Sequence, residues 1–216
     1  MKRILFTSVI VLIALFTKAQ QDPKAKSILD EVSTKTRTYK TISADFSFSM
    51  ENKAMLINEK NDGSIKLKGQ KYFVDLPGAG VKVFSDGKTN WSYMKQGNQV
   101  TISTIEDAGS ELMDPSSLFS IYEKGFTSKF VAEKNVGGKT VYQIDLFPDK
   151  KEYDVSKISI EISKANMMIQ SAQLYGTDGN IYGILVKKMD MDKDFPDSEF
   201  VFDSKKFPDV EIIDLR

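Results

Sequence analysis

The stretch SADFSFSMEN, residues 43–52, alternates between polar and apolar side chains from Ser43 to Glu51. Successive residues of an extended chain point to opposite sides, so this spacing puts all its apolar groups on one face. Those groups are Ala44, Phe46, Phe48 and Met50. The pattern predicts a β-strand with one buried and one solvated face, which is typical of antiparallel sheets.

The same alternation recurs in GSIKLKGQKYFVDL (63–76), TVYQIDLF (140–147) and VSKISIEIS (155–163). Glycine-containing polar turns separate these runs. One of them is Asp86-Gly87, within FSDGKTNWSYM (84–94), which predicts a tight hairpin turn. Together the runs predict about ten or eleven short strands in an antiparallel meander.

Two segments interrupt the strands with helical signals. Asp22 followed by Pro23 is a helix cap and first-turn pair, and it leads a helix expected to run to the middle thirties. Asp114 and Pro115 repeat the signature before an apolar patch that ends at Gly125. A long antiparallel sheet tends to curl, and its apolar face must be covered. We expect the two helices to act as that cover.

The N-terminus predicts export. Lys2 and Arg3 precede an apolar stretch from Ile4 to Phe16, and a small-residue cleavage context ends at Ala19. The stretch is shorter than the ~18 residues that a membrane-spanning helix needs, although a retained anchor is the alternative. We therefore expect residues 1–19 to be a cleaved signal peptide and 20–216 to be one exported domain.

Charge and composition exclude several functions. Loss of Lys2, Arg3 and Lys18 would reduce 30 basic residues to 27 against 30 acidic ones, a net charge of about −3. A nucleic-acid-binding protein would carry a basic stripe instead. The chain has no cysteine and no histidine, so disulfides, histidine-based triads and histidine zinc sites are excluded.

No catalytic, metal or cofactor site is predicted. The acidic run DMDKDFPDSE (190–199) begins like a calcium loop, but Phe195 and Val201 occupy the positions that require glycine and glutamate. We interpret it as a solvated loop. A hydrolase built on paired carboxylates is the enzymatic alternative, although sequence alone brings no two acids together.

The order of motifs along the chain resembles the periplasmic outer-membrane lipoprotein carrier family, LolA. The resemblance rests on the N-terminal helix, the ADFSFSM and GSIKLK strands, the SDGKTNWSY string, a short helix near PSSLF, and a closing segment EFVFDSKKFPDVEIID interpreted as a final strand. It implies a mainly β fold, an unclosed antiparallel barrel of about 11 strands covered by helices that enclose an apolar cavity. It also implies a soluble, monomeric, non-enzymatic periplasmic chaperone that takes acylated lipoproteins from an inner-membrane donor complex to the outer membrane.

One feature departs from the family pattern. Members often carry an Arg-Pro pair, linked to ligand hand-over, where this chain has Gly69 and Gln70, flanked by Lys68 and Lys71. An aromatic residue expected after Phe73 is replaced by Asp75. The cargo or the receptor is therefore expected to differ.

The predicted ligand site combines strand and helix residues. Strand residues would form the cavity wall: Phe46, Phe48, Met50, Ile65, Leu67, Phe73, Trp91 and Tyr93. Helix residues would form a lid: Ile28, Leu29, Leu118, Phe119 and Tyr122. For Trp91 the alternative is ordinary core packing. Two other functions stay open, namely carriage of a different lipid or apolar ligand and a scaffold or sensor domain that binds a protein partner.

Overall fold

The computed structural model describes residues 21–105, 125–150 and 154–216. Within them lie one α-helix and twelve strands, and two short 3₁₀ helices, Asp197–Phe200 and Ser204–Lys206, precede the last strand. The helix and strands are α1 (Pro23–Thr36), β1 (Ile42–Asn52), β2 (Ile57–Lys68), β3 (Lys71–Leu76), β4 (Val81–Ser85), β5 (Thr89–Met94), β6 (Gln99–Thr104), β7 (Phe126–Val136), β8 (Lys139–Pro148), β9 (Val155–Ser163), β10 (Ile169–Gly176), β11 (Ile181–Met191) and β12 (Glu211–Asp214).

All twelve strands belong to one unclosed sheet. Their order is β12-β6-β5-β4-β3-β2-β1-β11-β10-β9-β8-β7, so β12 and β7 are the two edges. Neighbours pair antiparallel except β12, which runs parallel to β6. The prediction of a mainly β, unclosed antiparallel fold is confirmed. The strand count is one higher than the upper prediction.

Helix α1 begins as the sequence predicted. The Asp22 Oδ1 atom accepts hydrogen bonds from the backbone N–H groups of Lys24 and Ala25, at 2.9 and 3.2 Å. Its other oxygen accepts one from the Phe130 N–H on edge strand β7, at 3.0 Å. These backbone hydrogen bonds lower the pKa of the Asp22 carboxyl, and the bond from Phe130 has the largest effect. One side chain therefore caps the helix and ties it to the sheet.

Replacing Asp22 with alanine should remove both connections. We expect Asp22→Ala to lower the Tm by about 2–4 °C, as loss of an N-cap does in a domain of this size. Asp22→Asn should recover most of the loss, because asparagine caps helices equally well. Thermal unfolding followed by circular dichroism measures both, and an unchanged Tm in the alanine variant would contradict this role.

The sheet has two faces, which we name after the segments that pack on them. The helix face carries α1, whose buried residues Ala25, Ile28, Leu29 and Val32 join the main core cluster. The sheet contributes alternate residues of β8 and β9 to that cluster, including Ile144, Leu146, Ile158, Ile160 and Ile162. Burial of these side chains is the main stabilising contribution from this half of the sheet.

On the opposite, strap face, a C-terminal strap, residues 195–208, packs on β2 to β5. Phe202 and Phe207 stack on each other with ring centroids 4.7 Å apart. Phe207 lies 4.4 Å from the Tyr93 ring, and Phe202 lies 5.8 Å from Phe84. The strap and the following β12 correct the prediction of a single final strand over EFVFDSKKFPDVEIID.

The hairpin predicted at Asp86-Gly87 joins β4 to β5. Gly87 has φ of +91°, which favours glycine, and Asp86 Oδ1 accepts hydrogen bonds from the N–H groups of Lys88 and Thr89 at 2.9 and 2.8 Å. The stretch 84–94 is therefore a bend between two paired strands, as predicted.

Two sequence predictions fall outside the described residues. They are the signal peptide, residues 1–19, and the second helix with Leu118, Phe119 and Tyr122. Across 21–105, 125–150 and 154–216, no helix combines the length and apolarity needed to cross a membrane.

Candidate apolar binding wall

The helix face continues beyond α1 as an apolar surface on β11, β1, β2, β3 and β4. Strand register puts its members on one side, since paired residues point the same way. For example, Met50 pairs with Tyr182, Ile65 with Val74, and Val74 with Val83. We call this surface the apolar wall. Its half-buried members are Phe48, Met50, Ile65, Val74, Leu76, Val83, Tyr182 and Met189.

The wall borders a small buried cluster of Ile42, Leu67 and Tyr72. This cluster is separate from the core beneath α1. The Phe48 ring stacks on that of Tyr182, with 6.3 Å between centroids. The helix face therefore has one half packed under α1 and another half with apolar groups that are only partly buried.

Gly63 permits close packing within the wall. A Cβ atom at this position would lie 2.6 Å from Leu76 Cδ2 and 2.9 Å from Phe46 Cζ, both of which now occupy that space. It would also lie 2.9 Å from the backbone oxygen of Asp75, which has little room to move. Glycine is thus required here because a side chain would displace Phe46, Leu76 or the neighbouring strand.

Five of the eight predicted wall residues lie together on the helix face. Phe46 and Leu67 are buried, and Phe48, Met50 and Ile65 are half-buried. Register along β1 and β2 keeps all five on one side of the sheet. Their role in ligand binding stays a prediction. Sequence reasoning missed five further members, Val74, Leu76, Val83, Tyr182 and Met189.

The other three predicted residues lie on the strap face, so the eight do not line a single surface. Phe73 pairs with Lys66 and Phe84, Trp91 pairs with Phe84, and Tyr93 pairs with Lys82. The reason is that β3 to β5 carry apolar side chains on both faces. Alternation cannot assign such strands, because a strand with apolar residues on both faces has no two-residue period of polarity.

The two predicted lid residues of α1 belong to the packed core. Leu29 is almost fully buried and Ile28 nearly so, in the cluster with Ile144 and Ile160. Neither belongs to the cluster of Ile42, Leu67 and Tyr72 beside the wall. A covering movement of α1 over a ligand stays a prediction.

The lysines beside the family's Arg-Pro position hold the strap. Lys68 Nζ donates to Asp197 Oδ1 at 2.8 Å and to the Phe195 carbonyl at 2.8 Å, and Lys71 Nζ donates to Asp197 Oδ2 at 2.6 Å. Hydrogen bonds from Lys68 and Lys71 lower the pKa of Asp197 to about 2, and the bond from Lys68 has the larger effect. Gly69 and Gln70 form the turn between these lysines. The cations therefore face the strap, on the side of the sheet opposite the wall.

The acidic run 190–199 is not simply a solvated loop. Phe195 and Phe200 are buried, and Lys66 forms an ion pair with Glu199 while its ammonium lies 5.0 Å from the Phe195 ring. Asp190 likewise forms ion pairs with Lys188 and Lys193. The signal that sequence analysis passed over is the density of phenylalanine: 195, 200, 202 and 207 within one short segment.

A family model described as "Outer membrane lipoprotein carrier protein LolA" matches residues 15–173. That range covers well over half of the chain. The chain belongs to this family. The resemblance seen in the motifs is thereby confirmed, while the strap lies outside the residues that the LolA model matches. Among curated proteins, none matches.

Solved structures share the fold of this chain. An uncharacterized conserved protein from Thermus thermophilus superposes with a TM-score of 0.59 at 12% identity, over 88% of this chain and 99% of that one. MucB superposes at 0.50 and 13% identity, over 85% of this chain and 64% of its own. A LolA superfamily protein from Nitrosomonas europaea has a TM-score of 0.44 and 11% identity, over 82% of this chain and 97% of that one. At these identities the likeness concerns the fold alone.

Proposed function

We propose that this LolA family member is a non-enzymatic periplasmic carrier that holds the acyl chains of lipoproteins against the apolar wall. The observation that carries the proposal is the wall itself. Its eight members come from five neighbouring strands, lie on one face and are only half-buried. Family membership supports the assignment of a lipoprotein as cargo.

The physical case rests on the cost of acyl chains in water. Each buried methylene contributes roughly 0.8 kcal/mol, so several chains cannot cross an aqueous compartment unprotected. The wall offers aliphatic, aromatic and thioether groups for those chains to contact. Half-buried groups gain further burial when a ligand arrives, whereas the filled core under α1 has nothing to gain.

A carrier must also release its cargo. Met50 and Met189 bring flexible, polarizable side chains to the wall, and methionine adapts to irregular contents. A deformable surface favours moderate affinity for many chains over tight affinity for one. In this proposal an inner-membrane donor supplies the acylated protein and an outer-membrane site receives it. The altered Arg-Pro position implies hand-over without that arginine.

The test places a fluorescent reporter on the wall. The single natural tryptophan, Trp91, lies on the strap face, so wild-type emission is a poor probe of the wall. We expect the double variant Trp91→Phe, Phe48→Trp to show a blue shift and saturable enhancement when titrated with a triacylated lipopeptide. Wild-type protein, whose indole is on the opposite face, should respond much less.

A lipopeptide that leaves the emission of this variant unchanged would contradict the proposal, provided that circular dichroism shows the variant folded. Mass spectrometry of material co-purified from the native envelope separates the two carrier functions. Acylated polypeptides support lipoprotein transport, and free lipids of low mass support carriage of another apolar ligand.

A further inference from the structure

A polar groove of about 370 Å³ opens on the strap face, away from the strap itself. It crosses β1 and β8 to β11, on the side opposite the apolar wall. This volume lies within the range of about 300–1,000 Å³ typical of small-molecule sites. Hydroxyl and amide groups dominate the lining, notably Ser47, Ser49, Gln143, Ser159, Ser171 and Gln173.

Strand register brings these groups together. Gln173 pairs with both Ser159 and Gly183, and Ser49 pairs with Gly183 from the other side. Gly183 keeps the floor open, since a Cβ there would lie 2.5 Å from Ser49 Oγ. The groove is therefore built from long-range pairing and depends on a residue without a side chain.

Several lining groups are held in place. Gln143 Nε2 donates to Ser159 Oγ at 3.2 Å, and Ser171 Oγ donates to Glu161 Oε2 at 2.7 Å. Ser47 and Ser159 are only 4% and 8% exposed. Buried hydroxyls with fixed partners present their remaining lone pairs in defined directions, which is how polar groups give a site its specificity.

Formal charge in the groove is low. Glu161 and Lys134 neutralise each other through an ion pair of 2.7 Å. Burial alone would raise the pKa of Glu161, but hydrogen bonds from Lys134 and Ser171 lower it below its usual value. Lys60 is the remaining charged lining residue and is exposed. A phosphate or sulfate ligand would call for a cluster of cations, which this lining does not provide.

The lining also mismatches an acyl chain, since a buried hydroxyl or amide without a partner is costly. A ligand with many neutral hydroxyl groups would complement the neutral hydrogen-bond donors and acceptors of this lining. Tyr175 adds an aromatic ring to the lining, and its hydroxyl donates to Gln173 Oε1 at 2.9 Å. We infer that this groove binds a short neutral oligosaccharide, independently of the proposed acyl-chain site.

The experiment is a titration of isotope-labelled protein, followed through backbone amide resonances, with maltotriose and with triacetylchitotriose. We expect at least one of them to give saturable shifts centred on Ser159, Ser171 and Gln173. Gln143→Leu should weaken that binding at least tenfold, because it removes a donor and leaves Ser159 Oγ without its partner. Gln96→Leu, in the exposed turn between β5 and β6, is the matched control and should not change the affinity.

Ser171→Ala provides a second test if Gln143→Leu disturbs folding, and it should weaken binding in the same direction. A dissociation constant of about 20 mM, which corresponds to a binding free energy of roughly −2 kcal/mol, is the weakest binding that the titration covers. Absence of saturable shifts with both sugars up to that concentration would overturn the inference. Shifts confined to other surfaces would also overturn it. The triacylated lipopeptide is titrated in parallel, and failure of the sugar arm alone leaves the carrier proposal intact.

Discussion

Replacing Phe200 with alanine is expected to lower the free energy of unfolding by about 3–5 kcal/mol. The Phe200 side chain is 0% exposed, on a short 3₁₀ helix that packs against β3 and β4. Its removal leaves a cavity at the junction of the strap and the sheet, and a relaxed backbone cannot fill a space of that size. Urea denaturation followed by circular dichroism measures the change.

The neighbouring residue provides the control. Val201 is 40% exposed, so Val201→Ala should change the free energy of unfolding by no more than about 0.5 kcal/mol. Equal losses in the two variants, or a loss below ~1 kcal/mol for Phe200→Ala, would mean that the strap does not stabilise the fold as described.

The strap is also the part of the fold that could not be predicted from the sequence. Local signals identified α1 correctly, because Asp22, Pro23 and the apolar spacing act within one helical turn. Alternation identified β1 and residues 63–68 of β2 correctly, because in these segments one face is apolar and the other is polar. Phe46, Phe48 and Ile65 were therefore assigned to the face on which they lie.

Alternation failed where both faces of a strand carry apolar side chains. Strand β3 presents Tyr72 and Val74 on the helix face and Phe73 on the strap face, and no periodicity separates the two sets. The segment that packs on Tyr93 comes from more than a hundred residues later in the chain. Contacts at that separation, such as Lys68 with Asp197, leave no local signal in the sequence.

Three of the eight wall members were nevertheless predictable. The alternating runs identified Phe48, Met50 and Ile65, whereas Tyr182 and Met189 joined the wall through pairing of β11 with β1. That pairing connects the first strand to one of the last, so it is a property of topology. The polar groove has the same origin, since Ser49 and Gln173 lie on strands far apart in sequence.

The sheet therefore carries the apolar wall on one face and the polar groove on the other, with a single layer of backbone between them. Phe48 and Ser49 are adjacent in β1, yet one belongs to the apolar wall and the other lines the polar groove. Because neighbouring strand residues point to opposite faces, substitutions at these two positions act on different surfaces. The pair therefore allows each proposed site to be disabled separately.

Phe48→Asp is expected to weaken binding of a triacylated lipopeptide at least about 100-fold, which corresponds to ~2.7 kcal/mol. A carboxylate on the wall would have to lose its hydration beside hydrocarbon, with no cation to compensate. Ser49→Asp introduces the same charge one residue away, opposite Lys60 in the β1–β2 pairing, and should leave lipopeptide affinity within about twofold. Fluorescence competition with an apolar dye measures both affinities.

The sugar titration should give the reverse order, with Ser49→Asp weakening oligosaccharide binding and Phe48→Asp leaving it unchanged. Phe48→Asn removes the ring without adding charge and should give an intermediate loss of lipopeptide affinity. If Phe48→Asp retains full lipopeptide affinity while folded, the acyl chains do not lie on this wall. If Ser49→Asp alone loses it, then the cargo binds on the strap face, because only an interaction on that side can sense a charge at position 49.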